Sequence, residues 1–355
     1  MRRGILLTKK IGILILGSII FLSCQKSIQE PIASPNNQVQ SFHVSASKLV
    51  LLQGNESNMA VSFNWKQSAE ADVKYTIEAA VCGSSFDNAI ELMSTGEEGI
   101  AFSVKEFNKS MSRLIYANNT AKVEFRIRED APAYAKRNPV YSAPVAMEVT
   151  TYRNYIAYDE QHIFKIPGNY QGWNISTAPK IVPLDNPDEY EGYIHFTNDY
   201  PQVLMVKGNQ WETVTTYSYI GGDKFGFGGS VLSVFGGSGV YLFRANYNTH
   251  EWSYTKIKQW GIVGTAIPGN TNAEPVMKAE ENSAVWSVTT DLVKGVFRIR
   301  ANNSNTIYFG QKATDDMGVP SYGGGNIVIK QAGNYTIKLE LQVAGNYAYS
   351  ITKNS

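Results

Sequence analysis

The chain has 355 residues, with 32 basic side chains against 31 acidic ones and a formal net charge of +1. Near-neutrality removes the electrostatic case for nucleic acid, and two cysteines are too few for a disulfide-stapled scaffold. A chain this long divides into two or three domains, each able to bury its own core.

Arg2, Arg3, Lys9 and Lys10 precede the apolar run 11–22, and Ser23-Cys24 follows it. This is the layout of a signal peptide over 1–23, with an apolar run well short of the roughly 20 residues a spanning helix needs. A small residue followed by Cys is the pattern of bacterial lipoprotein processing, so Cys24 is the expected lipidation site. Acyl chains there would anchor the protein, because each buried methylene adds about 0.8 kcal/mol and more than one chain makes the attachment stable. Residues 24–37 are polar, hold two prolines and read as a tether. Removing residues 1–23 takes four of the 32 basic side chains and none of the 31 acidic ones, which leaves a formal balance of −3.

From residue 38 to 152 the apolar period is two. Val61, Phe63 and Trp65 share one face, as do Tyr75, Ile77, Ala79 and Val81, and as do Val123, Phe125 and Ile127. These are strands with one buried side, and some 110 residues of them, broken by polar turns, predict a sandwich of two packed sheets. Residues 103–110 are compatible with one short helix. Cys82 ends a strand-like run and reads as a small buried side chain, not as a nucleophile.

Two further β regions follow, over 160–257 and 260–355. Ile166-Pro167-Gly168-Asn169 recurs as Ile267-Pro268-Gly269-Asn270, and Gly239-Val240-Tyr241 recurs as Gly333-Asn334-Tyr335. A repeat near 95–100 residues is too long for a solenoid element and predicts two tandem domains. The glycine clusters around 221–229, 236–237 and 323–325 lack the strand, loop and helix context of a phosphate cradle, and serve as turns.

A sugar presents apolar C–H faces that stack on flat aromatic rings, and hydroxyls that need directional polar partners. Tyr170-Gln171-Gly172-Trp173-Asn174 and Lys207-Gly208-Asn209-Gln210-Trp211-Glu212 combine both properties in loops. A single loop Trp serves equally well as a lid over the end of a core; two in matching polar loops favour ligand contact. Other chemistry has little support. His43, His162, His195 and His250 show no metal-ligand spacing, no Gly-x-Ser-x-Gly turn is present, and the sequence singles out no carboxylate pair of the kind a glycosidase needs. Asp185, Asp188 and Glu189 could serve calcium but read better as a solvated turn. The expectation is a non-enzymatic protein without a cofactor.

The chain resembles the SusE/SusF-type starch-binding outer-membrane lipoproteins of Bacteroidetes. In the first region the likeness rests on Val61-Ser-Phe-Asn-Trp65, Tyr75-Thr-Ile-Glu78 and Val123-Glu-Phe-Arg-Ile-Arg128. In the second it rests on Ile166 through Trp173 and on Glu189-Tyr-Glu-Gly-Tyr193, and in the third on Trp260-Gly-Ile-Val-Gly264, Phe297 through Asn302, Tyr308-Phe-Gly310 and Gly333 through Ile337. The resemblance implies an all-β chain, with an immunoglobulin- or fibronectin-like N-terminal sandwich followed by two carbohydrate-binding-module-like sandwiches. It also implies a lipid-anchored outer-membrane protein facing the cell exterior, which holds polysaccharide for a TonB-dependent transporter beside a partner glycan-binding lipoprotein. Its site pattern falls on Trp173, Lys207, Asn209 and Trp211, with Tyr170 adjoining. In the third region it falls on Arg300 and Asn302, where Asn272 or Ala273 and Asn305 stand in place of the two Trp residues. Absence of direct glycan contact, leaving a structural interaction lipoprotein, is the alternative.

Overall fold

The computed structural model describes residues 39, 41–69, 72–269, 274–312 and 317–354. The signal segment, Cys24, the tether and the Asn272 and Ala273 positions lie outside these described residues. The chain is all-β, and no described helix is long and apolar enough to cross a membrane.

The first part packs a three-stranded sheet against a six-stranded one. The alternating residues read from the sequence fill the space between them: Val61, Phe63, Trp65, Tyr75, Ile77, Val123, Phe125 and Ile127 are all buried in one core. Val81 is instead exposed, because the strand ends there, and Cys82 beyond it is half-buried and not enclosed. The helix Val104–Met111 starts with a capping box in which Ser103 and Glu106 satisfy each other's backbone N–H groups. On the outer face of the larger sheet, buried Glu78 accepts from Arg126 at 2.8 Å and from Arg128 at 2.6 Å. The Arg126 guanidinium is also sandwiched 4.1 Å from both the Phe86 and Tyr141 rings, which shields the cluster from water.

The second part is a closed barrel of eight short strands, a sandwich whose two faces are hydrogen-bonded at both edges. Its longest pair, Glu189–Phe196 with Gly239–Asn246, runs antiparallel over its full length. The repeat read from the sequence has a structural counterpart in the third part, where Val285–Leu292 pairs with Gly333–Glu340 in the same way. In both copies the tyrosine of the second strand turns back to its own entry loop. Tyr241 donates to the Gly237 carbonyl at 2.7 Å and Tyr335 to that of Gln331 at 2.8 Å.

Both faces of the long barrel pair are covered, which is why Glu189–Phe196 shows nearly continuous burial. Tyr190, Ile194, Phe196, Tyr241 and Phe243 fill the barrel, whereas Tyr193, Val240, Leu242 and Ile257 enter the core of the third part. That third part is a nine-stranded sheet, eight strands in one hydrogen-bonded path and Ile327–Ile329 paired beside it, wrapped around Trp260, Phe297, Ile299, Phe309, Ile337 and Leu339.

At the junction Glu191 is fully buried. It accepts from the Tyr322 hydroxyl at 2.7 Å and from Arg244 at 2.8 Å, while Tyr322 also shares a 2.6 Å hydrogen bond with Tyr193. The third part also meets the first and the stretch 151–160 that leaves it. Arg153 pairs with Glu340, the Asn346 side chain bonds the backbone of Ile156 in both directions, and Tyr116 packs edge-on to Tyr349.

Candidate functional site

The residues singled out in the second region sit on two loops around one short ladder. The strands Phe164–Lys165 and Met205–Val206 pair antiparallel, with Lys165 opposite Val206, and a bridge between Gly168 and Val203 extends the contact. Because the strands run in opposite directions, the Trp173 loop leaves one end of the ladder and the Trp211 loop leaves the other. The two indoles bracket the ladder; no single loop cluster brings them together.

At the second end Trp211 is 47% exposed, and Asn209 and Gln210 beside it are also exposed. The loop is held from below by Lys165, a residue the sequence reading missed because it lies within an apolar strand. Lys165 is only 4% exposed. Its ammonium donates to the Asn209 side-chain oxygen and sits 3.1 Å from Glu160, which also binds Lys180 at 2.6 Å. The two cations hold the Glu160 carboxyl below its usual range, the Lys180 hydrogen bond being the largest influence. Lys165→Met removes the buried donor to Asn209 and is expected to cost about 1–3 kcal/mol locally. Hydrogen exchange should show faster opening at residues 207–212 while the barrel core keeps its protection.

Lys207 is half-buried. Its ammonium lies 3.6 Å from the centre of the Tyr247 ring, 5.1 Å from Phe164 and 6.0 Å from Tyr190, so the charge is nested on aromatic faces of its own barrel. A hydrogen bond with Tyr217 and then the nearby Lys207 charge hold the Tyr247 hydroxyl below its usual pKa, while burial raises that of Tyr217. Phe227, exposed, packs on Tyr217 at 4.5 Å and extends the aromatic surface at this end.

At the first end Trp173 is half-buried, with a left-handed backbone at φ 61° and its N–H on the Gly168 carbonyl at 2.8 Å. Tyr170, expected to adjoin the ligand, packs edge-on against Phe196 at 4.8 Å. Its hydroxyl donates to the Ile166 carbonyl at 2.6 Å, and burial raises its pKa. This is a wedge under the loop.

The two residues of the third part are likewise engaged within the chain. Arg300 donates through two nitrogens to Glu274, at 3.0 and 2.8 Å, and through a third to Asn305 at 3.2 Å. Asn302 accepts from the Lys258 N–H and donates to the Lys256 carbonyl, both at 2.8 Å, and so clamps the connection that leaves the barrel. Both side chains thus have hydrogen-bonding partners within the chain. Among the described residues no group of three or more His, Cys, Asp or Glu could hold a metal ion.

Residues 26–128 match the SusE outer membrane protein family. That match spans most of the first sandwich. The solved structure of SusF from Bacteroides thetaiotaomicron aligns over 89% of this chain and 77% of that one, at 12% identity and a TM-score of 0.25, too low to transfer any position. Comparison with curated proteins gives no match.

Proposed function

We propose that the protein is a non-catalytic polysaccharide-binding accessory at the outer-membrane surface. It would be anchored through Cys24 and serve a TonB-dependent glycan uptake system beside a partner glycan-binding lipoprotein. The observation that carries this reading is Trp211: a broad ring open to water, flanked by Asn209 and Gln210, on a loop fixed from beneath by a buried lysine. Such a ring can be covered by a sugar face at little conformational cost, with amides in reach of the hydroxyls. Trp173 at the other end of the ladder would supply a second contact. The match of residues 26–128 supports the location. In this reading the first sandwich is a spacer, and the third part is a support in place of a second binding module, since Arg300 and Asn302 are used internally. Ring stacking does not choose among starch and other glycans.

The test is retention of the ectodomain on soluble and insoluble polysaccharides. Trp211→Ala is expected to weaken binding about tenfold, equivalent to about 1.4 kcal/mol, with the melting temperature unchanged. Trp173→Ala should weaken it too. Unaltered binding by both variants would move the site elsewhere on the protein, and no retention of the wild type on any polysaccharide would favour the alternative of a structural interaction lipoprotein.

A further inference from the structure

A second aromatic surface lies at the Trp173 end of the barrel, on residues that the sequence reading left aside. Gln202–Val203 and Leu232–Ser233 form a two-stranded antiparallel sheet in which Gln202 faces Ser233 and Val203 faces Leu232. The pairing extends one step further, because the Val234 N–H donates to the Pro201 carbonyl at 2.9 Å. Continuing that register sets Tyr200 opposite Phe235. Burial follows the pleat. Pro201, Val203, Leu232 and Val234 are buried, Gln202 is exposed and Ser233 half-buried, while Tyr200 is 80% and Phe235 70% exposed. Alternation therefore puts Tyr200, Gln202, Ser233 and Phe235 on one water-facing side.

The surroundings hold this face in place. The Asn169 side chain donates to the Tyr200 carbonyl at 2.9 Å and accepts from the Gln202 N–H at 3.0 Å and from the Asn198 amide at 2.9 Å. The Phe235 N–H donates to the Tyr254 hydroxyl at 3.1 Å. Behind it Gly236, at φ 120°, takes a turn that a side chain would obstruct against the Tyr241 hydroxyl. The adjoining charges are turned to loop backbone: Lys256 donates to the Gly236 carbonyl, and Asp199 accepts from the Ser238 N–H.

Two exposed rings on a braced edge would be an aggregation liability unless something covers them. We propose that Tyr200 and Phe235, with Gln202 and Ser233, form a second platform for an uncharged polysaccharide, separate from the Trp211 loop and at the opposite end of the ladder. Rings supply the stacking faces, and the amide and hydroxyl supply neutral hydrogen-bonding partners. None of these four side chains is aliphatic or charged, and the charges of Asp199 and Lys256 beside them are engaged with loop backbone, which fits a neutral sugar better than a protein contact. The inference rests on the glycan reading and deepens it. Platforms at both ends would let one long polymer engage the barrel twice, so binding of a long chain should exceed that of a short one.

The experiment is affinity electrophoresis of the ectodomain in gels containing a soluble α-glucan, a β-glucan or a mannan, with Trp211→Ala and the double variant Tyr200→Ala, Phe235→Ala. On whichever polymer retards the wild type, the double variant is expected to bind about tenfold more weakly at unchanged melting temperature. A double variant that matches the wild type, on a polymer whose binding Trp211→Ala weakens, would overturn the second platform and leave the general reading standing. A double variant that keeps glycan binding but loses an outer-membrane protein partner would overturn it in favour of protein contact. No retardation of the wild type by any polymer would sink both.

Discussion

Glu191→Ala is expected to destabilise the protein by roughly 2–4 kcal/mol, because it strands the Tyr322 hydroxyl and the Arg244 guanidinium at the junction of the barrel and the C-terminal sheet. The Arg244 side chain is partly open to water, which keeps the cost below that of breaking a wholly enclosed pair. The same site has a pH signature. Burial raises the Glu191 pKa, against the opposing pull of Tyr322 and Arg244. The folded protein therefore holds this proton more readily than the unfolded chain does. Its contribution to stability falls as pH rises from the ordinary carboxylate range through the raised value, and levels off above it. Glu191→Gln, which cannot titrate, should remove that slope. Urea unfolding of the wild type and Glu191→Gln across the mildly acidic to neutral range checks this: a stability difference between them that does not change with pH would refute it.

Trp260→Ala is expected to cost about 3–5 kcal/mol, the range for deleting a fully enclosed large aromatic. The indole is completely buried, lies nearly parallel to Phe309 at 5.3 Å, and meets the barrel's Tyr193 at 6.1 Å. Truncation would open a void where two parts of the chain share one core, so loss of cooperativity should accompany loss of stability. Chemical denaturation followed by circular dichroism should show both, with Trp211→Ala, on a solvent-exposed ring, changing stability by no more than about 0.5 kcal/mol.

Strand alternation made the first sandwich legible because most of its strands have one face that is not fully buried. Val123, Phe125 and Ile127 point to the core, and Lys122, Glu124, Arg126 and Arg128 point away, so period two and burial coincide. The same logic weakens in Glu189–Phe196, where alternate residues serve two different cores and nearly every position is buried. Glu191 stood there within a motif that resembled a family pattern, with nothing local to show that Tyr322, 131 residues on, would reach its carboxyl. Tyr200 and Phe235 were hidden for another reason. They lie just outside strands only two residues long, with Pro201 ahead of one and Gly236 behind the other, too short for an alternating pattern to reach them. The Trp211 loop was visible through composition; the lysine beneath it was not, since a buried cation inside an apolar strand is justified only by tertiary partners such as Glu160 and Asn209.

The chain runs from first sandwich to barrel to C-terminal sheet, yet the C-terminal sheet touches both of the others, through Tyr349 against Tyr116 and the Met317 N–H on the Ser112 carbonyl on one side and Tyr322 on the other. A tug on the barrel is therefore shared between the covalent stretch 151–160, which Glu340 and Asn346 also grip, and a parallel route of packed rings and hydrogen bonds. A pull on the barrel would reach the N-terminal end through two coupled paths, so the assembly should resist being stretched open more stiffly than three beads on a string.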